Sequence, residues 1–255
     1  MQHDAQISDT SAGDNCQRGS RILLRGTRQF YLDLDRPLPP DVQLIVLPPT
    51  LERAVPRRQM QFRAGRYCAM QAMEALDPQF ARHHVGRSAT GAPVWPLGLA
   101  GSITHTDDFA SAAVASTATT VSLGIDTERV MSDQQARDVG SLIASSVELR
   151  HCYVAGIPPL EAITLVFSAK ESIFKCLHPL VGRMFEFDDV RVVYVDTAAQ
   201  VFRAEIVTTL GTAFPAGTLL EGRFAIEDQR IHTGISLENQ ATHPGQEAQA
   251  LFQTR

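Results

Sequence analysis

Apolar positions along the chain follow two periods. Over residues 57–76, Phe62, Ala69, Met73 and Leu76 recur at three- and four-residue steps and Asp77-Pro78 closes the run, which predicts a helix. Residues 133–144 and 146–155 predict two short helices, with Ser145 and Glu148 spaced as a capping box. Pro159 suits the first turn of a long helix reaching Leu177. Apolar runs at 42–47, stopped by Pro48-Pro49, and at 112–115 and 121–125 predict strands. Gly101-Ser102-Ile103-Thr104-His105 reads as a small-residue turn entering a strand that ends on His105, and the Gly- and Pro-rich residues 86–101 before it read as a loop. Residues 190–196, 201–208, 219–226 and 231–236 alternate between turn residues and predict an antiparallel meander. Helices gathered between strands in both halves predict an α+β chain with two similar-sized lobes and a cleft between them.

Charges interrupt this pattern at three places. In Phe167-Ser168-Ala169-Lys170-Glu171-Ser172-Ile173-Phe174-Lys175, the stripe Ala169, Ile173 and Cys176 packs inward, while Glu171 and Lys175 lie one turn apart on a shared face. Taken alone this is an ordinary ion pair between positions i and i+4. Upstream, the apolar run Val121-Ser122-Leu123-Gly124-Ile125 ends in Asp126-Thr127-Glu128, and a period of two puts both acids on one face, about 7 Å apart. Such carboxylates repel unless a cation lies between them, and oxygen ligands at this spacing favour magnesium, with Glu171 as a third. The third place is basic. Arg53, Arg57, Arg58, Arg63 and Arg66 crowd one stretch, and guanidinium groups present the paired donors that phosphate accepts, although a solvated helix face has the same composition.

Composition narrows the classes. A chain of 255 residues with 44% hydrophobic content can bury a substantial core. A net charge of −5 and a pI near 5.9 leave no basic surplus for nucleic acid, and no run approaches the roughly 18 apolar residues of a membrane span. Cys16, Cys68, Cys152 and Cys176 lie far apart without metal-type pairing, which suits reduced thiols and a cytoplasmic protein. Residues 1–19 read as a disordered polar leader and 237–255 as a polar tail, leaving an N-terminal lobe at 20–120 and a C-terminal lobe at 121–236.

Five motifs in order carry a resemblance: Arg58 to Arg66 within Phe62-Arg63-Ala64-Gly65-Arg66; Gly91-Ala92-Pro93-Val94-Trp95-Pro96; Gly101-Ser102-Ile103-Thr104-His105; Gly124-Ile125-Asp126-Thr127-Glu128; and Phe167-Ser168-Ala169-Lys170-Glu171-Ser172 with Lys175. Over about residues 40–236 the chain resembles the 4′-phosphopantetheinyl transferases, in the branch of the enterobactin-synthetase component D enzymes and their actinobacterial relatives. The resemblance implies two pseudo-symmetric α+β lobes with coenzyme A and Mg²⁺ between them. It implies that Arg58 and Arg66 hold coenzyme A phosphates, particularly the 3′-phosphate, and that Thr90, Gly91, Ala92 and Pro93 line the adenine. Thr104 and His105 would meet the phosphates. Asp126, Glu128 and Glu171 would bind Mg²⁺ with the diphosphate, Lys170 and Lys175 would neutralise its oxygens, and Phe185 would touch the pantetheine arm. Thr127, between the two acids, has no metal role.

The implied reaction is attack of a carrier-protein serine on the β-phosphorus of coenzyme A, releasing adenosine 3′,5′-bisphosphate. Mg²⁺ and lysine offset the growing negative charge, and a carboxylate takes the serine proton, a role given to Glu171, with Glu128 or a metal-bound water as the other candidates. The expected partners are coenzyme A and an apo acyl, peptidyl or aryl carrier protein, with no nucleic acid and no membrane, the chain acting as a monomer. Two other classes fit the same motifs: a coenzyme A-binding module without catalysis, and an interaction subunit of a synthetase whose charged pairs are solvated faces.

Overall fold

The computed structural model describes residues 17–18, 24–88 and 91–239. Helix α1 (Pro56–Leu76) begins on a proline, whose missing N–H costs nothing at the first position, and stops where Asp77 turns extended before Pro78. Its buried face is made of small residues, Ala64, Gly65, Cys68, Ala69 and Ala72, with Tyr67 and Met73 among them. Small residues bring the helix axis close to the sheet beneath it. That sheet has the order β1-β2-β6-β5, from β1 (Gln17–Arg18), β2 (Arg28–Asp33), β5 (Leu99–His105) and β6 (Phe109–Ser116), all antiparallel. Phe30, Leu32, Met73, Ala112 and Val114 fill the space between.

The expected loop before β5 contains a two-stranded hairpin of β3 (Gly86–Arg87) and β4 (Pro93–Val94). The strand expected at 42–47 is absent. Short 3₁₀ turns stand there, Pro40–Leu44 and Pro49–Leu51, because flanking prolines remove the donors a ladder needs. Only Val42 and Ile45 of that run turn inward, while Leu44 is 75% and Val46 85% exposed. Of the expected leader, Gln17 and Arg18 pair with β2, and the remaining residues of 1–19 lie outside the described residues, as does the tail from residue 240.

The second sheet has the order β7-β11-β10-β9-β8, from β7 (Thr120–Arg129), β8 (Val190–Asp196), β9 (Val201–Ile206), β10 (Leu219–Glu227) and β11 (Arg230–Glu238). The expected meander is there, with β7 closing its far edge. Helices α2 (Asp133–Ile143) and α3 (Ser146–Val154) each start with a capping box, Ser132 with Gln135 and Ser145 with Glu148. Helix α4 (Pro159–Val181) buries Leu165, Ala169, Ile173, Cys176 and Leu177 against Phe202, Phe224 and Ile231. It lies hard on β7 at Gly124, where a β-carbon would stand 2.0 Å from Ser172 O and 2.6 Å from Cys176 N.

The two sheets meet at β5 and β7 without a backbone ladder. Hydroxyls bridge them instead. Ser102 Oγ accepts from Ile125 N at 3.1 Å, and Thr104 Oγ1 accepts from Thr127 N at 2.9 Å. Leu24, Ala113, Ala115, Leu123 and Ile125 pack as an apolar cluster of their own. The fold is α+β. Among the described residues no single helix is long and apolar enough to cross a membrane, and Cys68, Cys152 and Cys176 are buried.

Candidate active site

Strand β7 alternates as expected, and its sides part company at residue 126. Thr127 faces His232, its Oγ1 3.0 Å from Nδ1, while Asp126 and Glu128 face α4 and the cleft beside it. Helix α4 supplies the other half of the cluster. Lys175 Nζ donates to Asp126 Oδ1 at 2.6 Å, Ser168 Oγ donates to Asp126 Oδ2 at 2.8 Å, and Glu171 stands between those two helical positions. The acids feel one another. The Glu128 carboxyl is pushed up to about 8, first by burial and then by the Asp126 charge, with Glu171 adding and Lys175 offsetting. Glu171 is also raised, by burial first, with Asp126 adding to it and Lys175 working against it.

This is an all-oxygen donor set that, with all three acids ionised, carries more negative charge than Lys175 neutralises. Its chemistry fits a hard divalent cation. Among the described residues no three acidic, histidine or cysteine side chains already converge at ligating distance on one point. The fit therefore rests on donor type and unbalanced charge.

A basic cavity of about 150 Å³ lies on the other side of His105, lined by Arg58, Phe62, Arg66, Arg87, Gly91 and Pro93 among others. Helix α1 places Arg58 and Arg66 two turns apart on one face. Arg58 Nη1 lies 2.7 Å from His105 Nε2. The His105 imidazole is pulled down to about 4 by burial and then by the charges of Arg58 and Lys175, against opposing help from a backbone hydrogen bond and Asp126. It is neutral at physiological pH, so Nε2 accepts from Arg58. Arg66 Nη2 donates to Gly86 O at 3.1 Å, and its buried Nε has no partner among the described residues. Burial and the Arg87 charge pull its guanidinium down to about 10. Two crowded guanidinium groups and an orphaned N–H are the features of an anion site.

Several expected residues gather here and others do not. Gly91 and Pro93 line the cavity, Ala92 lies between them in the hairpin turn, and Thr90 is outside the described residues. Thr104 and Lys170, both expected at the phosphates, are placed otherwise. The Thr104 hydroxyl is buried and donates to Asp126 Oδ1 at 3.2 Å. The Lys170 ammonium is sealed inside, 2.9 Å from Glu148 Oε1 and 2.8 Å from Ile143 O. Two other arginines of the basic stretch are engaged elsewhere: Arg57 pairs with Asp107, and Arg63 donates to Gln43 O. Arg53 makes no contribution to the cavity lining.

Arg87, Ser168 and Glu148 were not singled out from the sequence for these positions. Arg87 follows the only glycine of the first hairpin strand, a local signal too weak to find it. Ser168 was legible only as part of the motif around Glu171.

Two further hollows adjoin the acids. One of about 180 Å³ is lined by Glu171, Phe174, Met184, Phe185 and Phe187 among others. A larger groove of about 850 Å³ opens past Glu128 between His105 and α2, walled by Met131, Val139, Leu142 and Phe167. The basic cavity and the groove past Glu128 thus adjoin at His105, with the acid cluster and the apolar slot beside them.

Both halves of the chain match known proteins. Residues 47–115 match the 4′-phosphopantetheinyl transferase N-terminal domain, and residues 122–226 match the 4′-phosphopantetheinyl transferase superfamily. The chain is 35% identical over 211 residues to the 4′-phosphopantetheinyl transferase Svp of Streptomyces mobaraensis, covering 78% of this chain and 82% of that one. It is 28% identical over 207 residues to PptT of Mycobacterium tuberculosis, covering 79% and 86%. It is 32% identical over 152 residues to enterobactin synthase component D of Salmonella typhi, covering 59% and 62%. With both halves matched in order and the acids on the second, the chain belongs to the 4′-phosphopantetheinyl transferase family.

Proposed function

We propose that this transferase moves phosphopantetheine from coenzyme A to a serine of an apo acyl, peptidyl or aryl carrier protein, in a cleft between two lobes at residues 20–120 and 121–236. Asp126, Glu128 and Glu171 hold Mg²⁺ in this reading. The observation that carries it is the position of His105, which feels Arg58 of the basic cavity on one side and Lys175 and Asp126 of the acid cluster on the other. A ligand with a phosphorylated nucleotide at one end and a diphosphate in its middle matches that sequence of charges.

Arg58, Arg66 and Arg87 hold the 3′-phosphate, and Gly91, Ala92 and Pro93 offer backbone to the adenine. The pantetheine arm runs toward Phe185. Bound Mg²⁺ supplies charge neutralisation on the diphosphate. The carrier serine oxygen bonds to the β-phosphorus, the bond from that phosphorus to the bridging oxygen breaks, and adenosine 3′,5′-bisphosphate leaves with the electron pair. Glu171 takes the serine proton as the new bond forms. Lys175 donates to the oxygens on which charge collects.

Intact mass spectrometry of candidate apo carriers after incubation with the protein, coenzyme A and MgCl₂ tests the reading. A phosphopantetheine increment that disappears with EDTA is expected. Coenzyme A binding without any increment on any carrier would favour a binding module instead.

A further inference from the structure

We infer that Thr104 and Ser168 are positioning residues that fix the carboxylate of Asp126 from two sides, and that Thr104 acts through this acid and not on coenzyme A. The inference rests on the reading of Asp126 as a metal ligand.

A hydroxyl has one proton, and the contacts account for it. Thr104 Oγ1 accepts from Thr127 N at 2.9 Å, so its proton is left for Asp126 Oδ1 at 3.2 Å. Nothing remains to donate to a phosphate. On the other side, Thr233 Oγ1 donates to Ser168 O at 2.8 Å and lies 2.9 Å from Ser168 Oγ. The Ser168 proton then goes to Asp126 Oδ2 at 2.8 Å, a charged acceptor and therefore the stronger one. Thr104, Ser168, Thr233 and Asp126 are all buried, so water does not compete for these bonds.

The two hydroxyls come from different sheets' layers. Thr104 rides on β5 and Ser168 on α4, so the carboxylate plane is set across the seam where the sheets meet. Second-layer hydrogen bonds of this kind orient a ligand and hold its basicity, and removing one typically weakens metal binding about 10–100-fold.

The test uses Mn²⁺ in place of Mg²⁺, read by electron paramagnetic resonance on the full chain with saturating coenzyme A, beside calorimetric titration of coenzyme A in EDTA. Thr104→Val should weaken Mn²⁺ binding about tenfold and leave coenzyme A affinity in EDTA within about twofold, and Thr104→Ser should restore the metal. Ser168→Ala, which leaves β5 untouched, should weaken Mn²⁺ similarly and carries the test if Thr104→Val does not fold. A tenfold loss of coenzyme A affinity in EDTA with Mn²⁺ unchanged would make Thr104 a phosphate ligand and overturn the inference. So would unchanged Mn²⁺ binding in both variants. Asp126→Asn separates the two levels: if it binds Mn²⁺ like the wild type, the metal reading itself fails, whereas loss there with retention in Thr104→Val sinks the inference alone.

Discussion

Helix α4 carries two ammonium–carboxylate pairs little more than a turn apart, and they are built differently. Lys170 and Glu148 are 3% and 4% exposed, and every strong partner is used. Glu148 Oε1 also accepts from Val192 N at 3.0 Å, and its Oε2 accepts from Ser145 N and Oγ, both at 2.9 Å. This pair ties the end of α2, the start of α3 and strand β8 to the helix. Lys175 is 28% exposed, and its partner Asp126 shares its surroundings with two more acids. The closed pair spends its charge on architecture. The open pair leaves charge unbalanced, and unbalanced charge is what a cation and a diphosphate can use.

Breaking the closed pair should produce the largest effect. Glu148→Ala strands a buried ammonium and should cost about 3–5 kcal/mol in urea denaturation, most of it recovered in the double variant Glu148→Ala/Lys170→Met. A small loss, or no recovery, would mean the pair is not the brace described. Glu171→Gln should keep coenzyme A affinity and lower kcat for carrier modification on the order of 10³-fold, with thermal stability little changed; wild-type turnover would remove Glu171 as the base. Lys175→Met should reduce kcat about 10²-fold while unfolding free energy moves by less than about 1 kcal/mol, the opposite balance from Glu148→Ala. If Lys175→Met instead unfolds the protein, the contrast between the two pairs collapses.

The smallest effect concerns Asp108, which accepts from Thr106, Arg129 and Arg230 and joins the β5–β6 turn to the ends of β7 and β11. Burial acts to raise its carboxyl, but hydrogen bonds from Arg230 and Thr106 and the charges of Arg230 and Arg129 outweigh it, and the net shift is downward. A depressed folded value stabilises the protein above the ordinary carboxylate range and loses that contribution as pH falls through the folded value. Asp108→Asn should therefore cost about 1.5 kcal/mol at neutral pH, and the gap to wild type should close in acid melts. A gap that stays constant down to acid pH would assign the loss to packing.

What the sequence made legible was local. The period of two in Asp126-Thr127-Glu128 put the acids on one side and Thr127 on the other, where His232 meets it. The Ser145–Glu148 spacing announced a cap, and the cap is there. That the same Glu148 carboxylate reaches Lys170 depends on how α3 packs against α4, and no local spacing encodes that. Thr104 is the same case: its motif placed it near the chemistry, but its acid lies on a strand of the other sheet. The run at 42–47 had strand-like composition and became 3₁₀ turns, since prolines at both ends outweigh β-branched content. β2 went unread because three successive buried residues, Phe30 to Leu32, mask its alternation.

Gly124 has a reach beyond the packing of one helix on one strand. The atoms that crowd it belong to Ser172 and Cys176, the immediate neighbours of Glu171 and Lys175. Any side chain there would lift the helix and carry both groups away from Asp126. The bite of the acid cluster is thus gauged by a missing methyl group, and the site can be detuned from a position that bears no charge and touches no substrate.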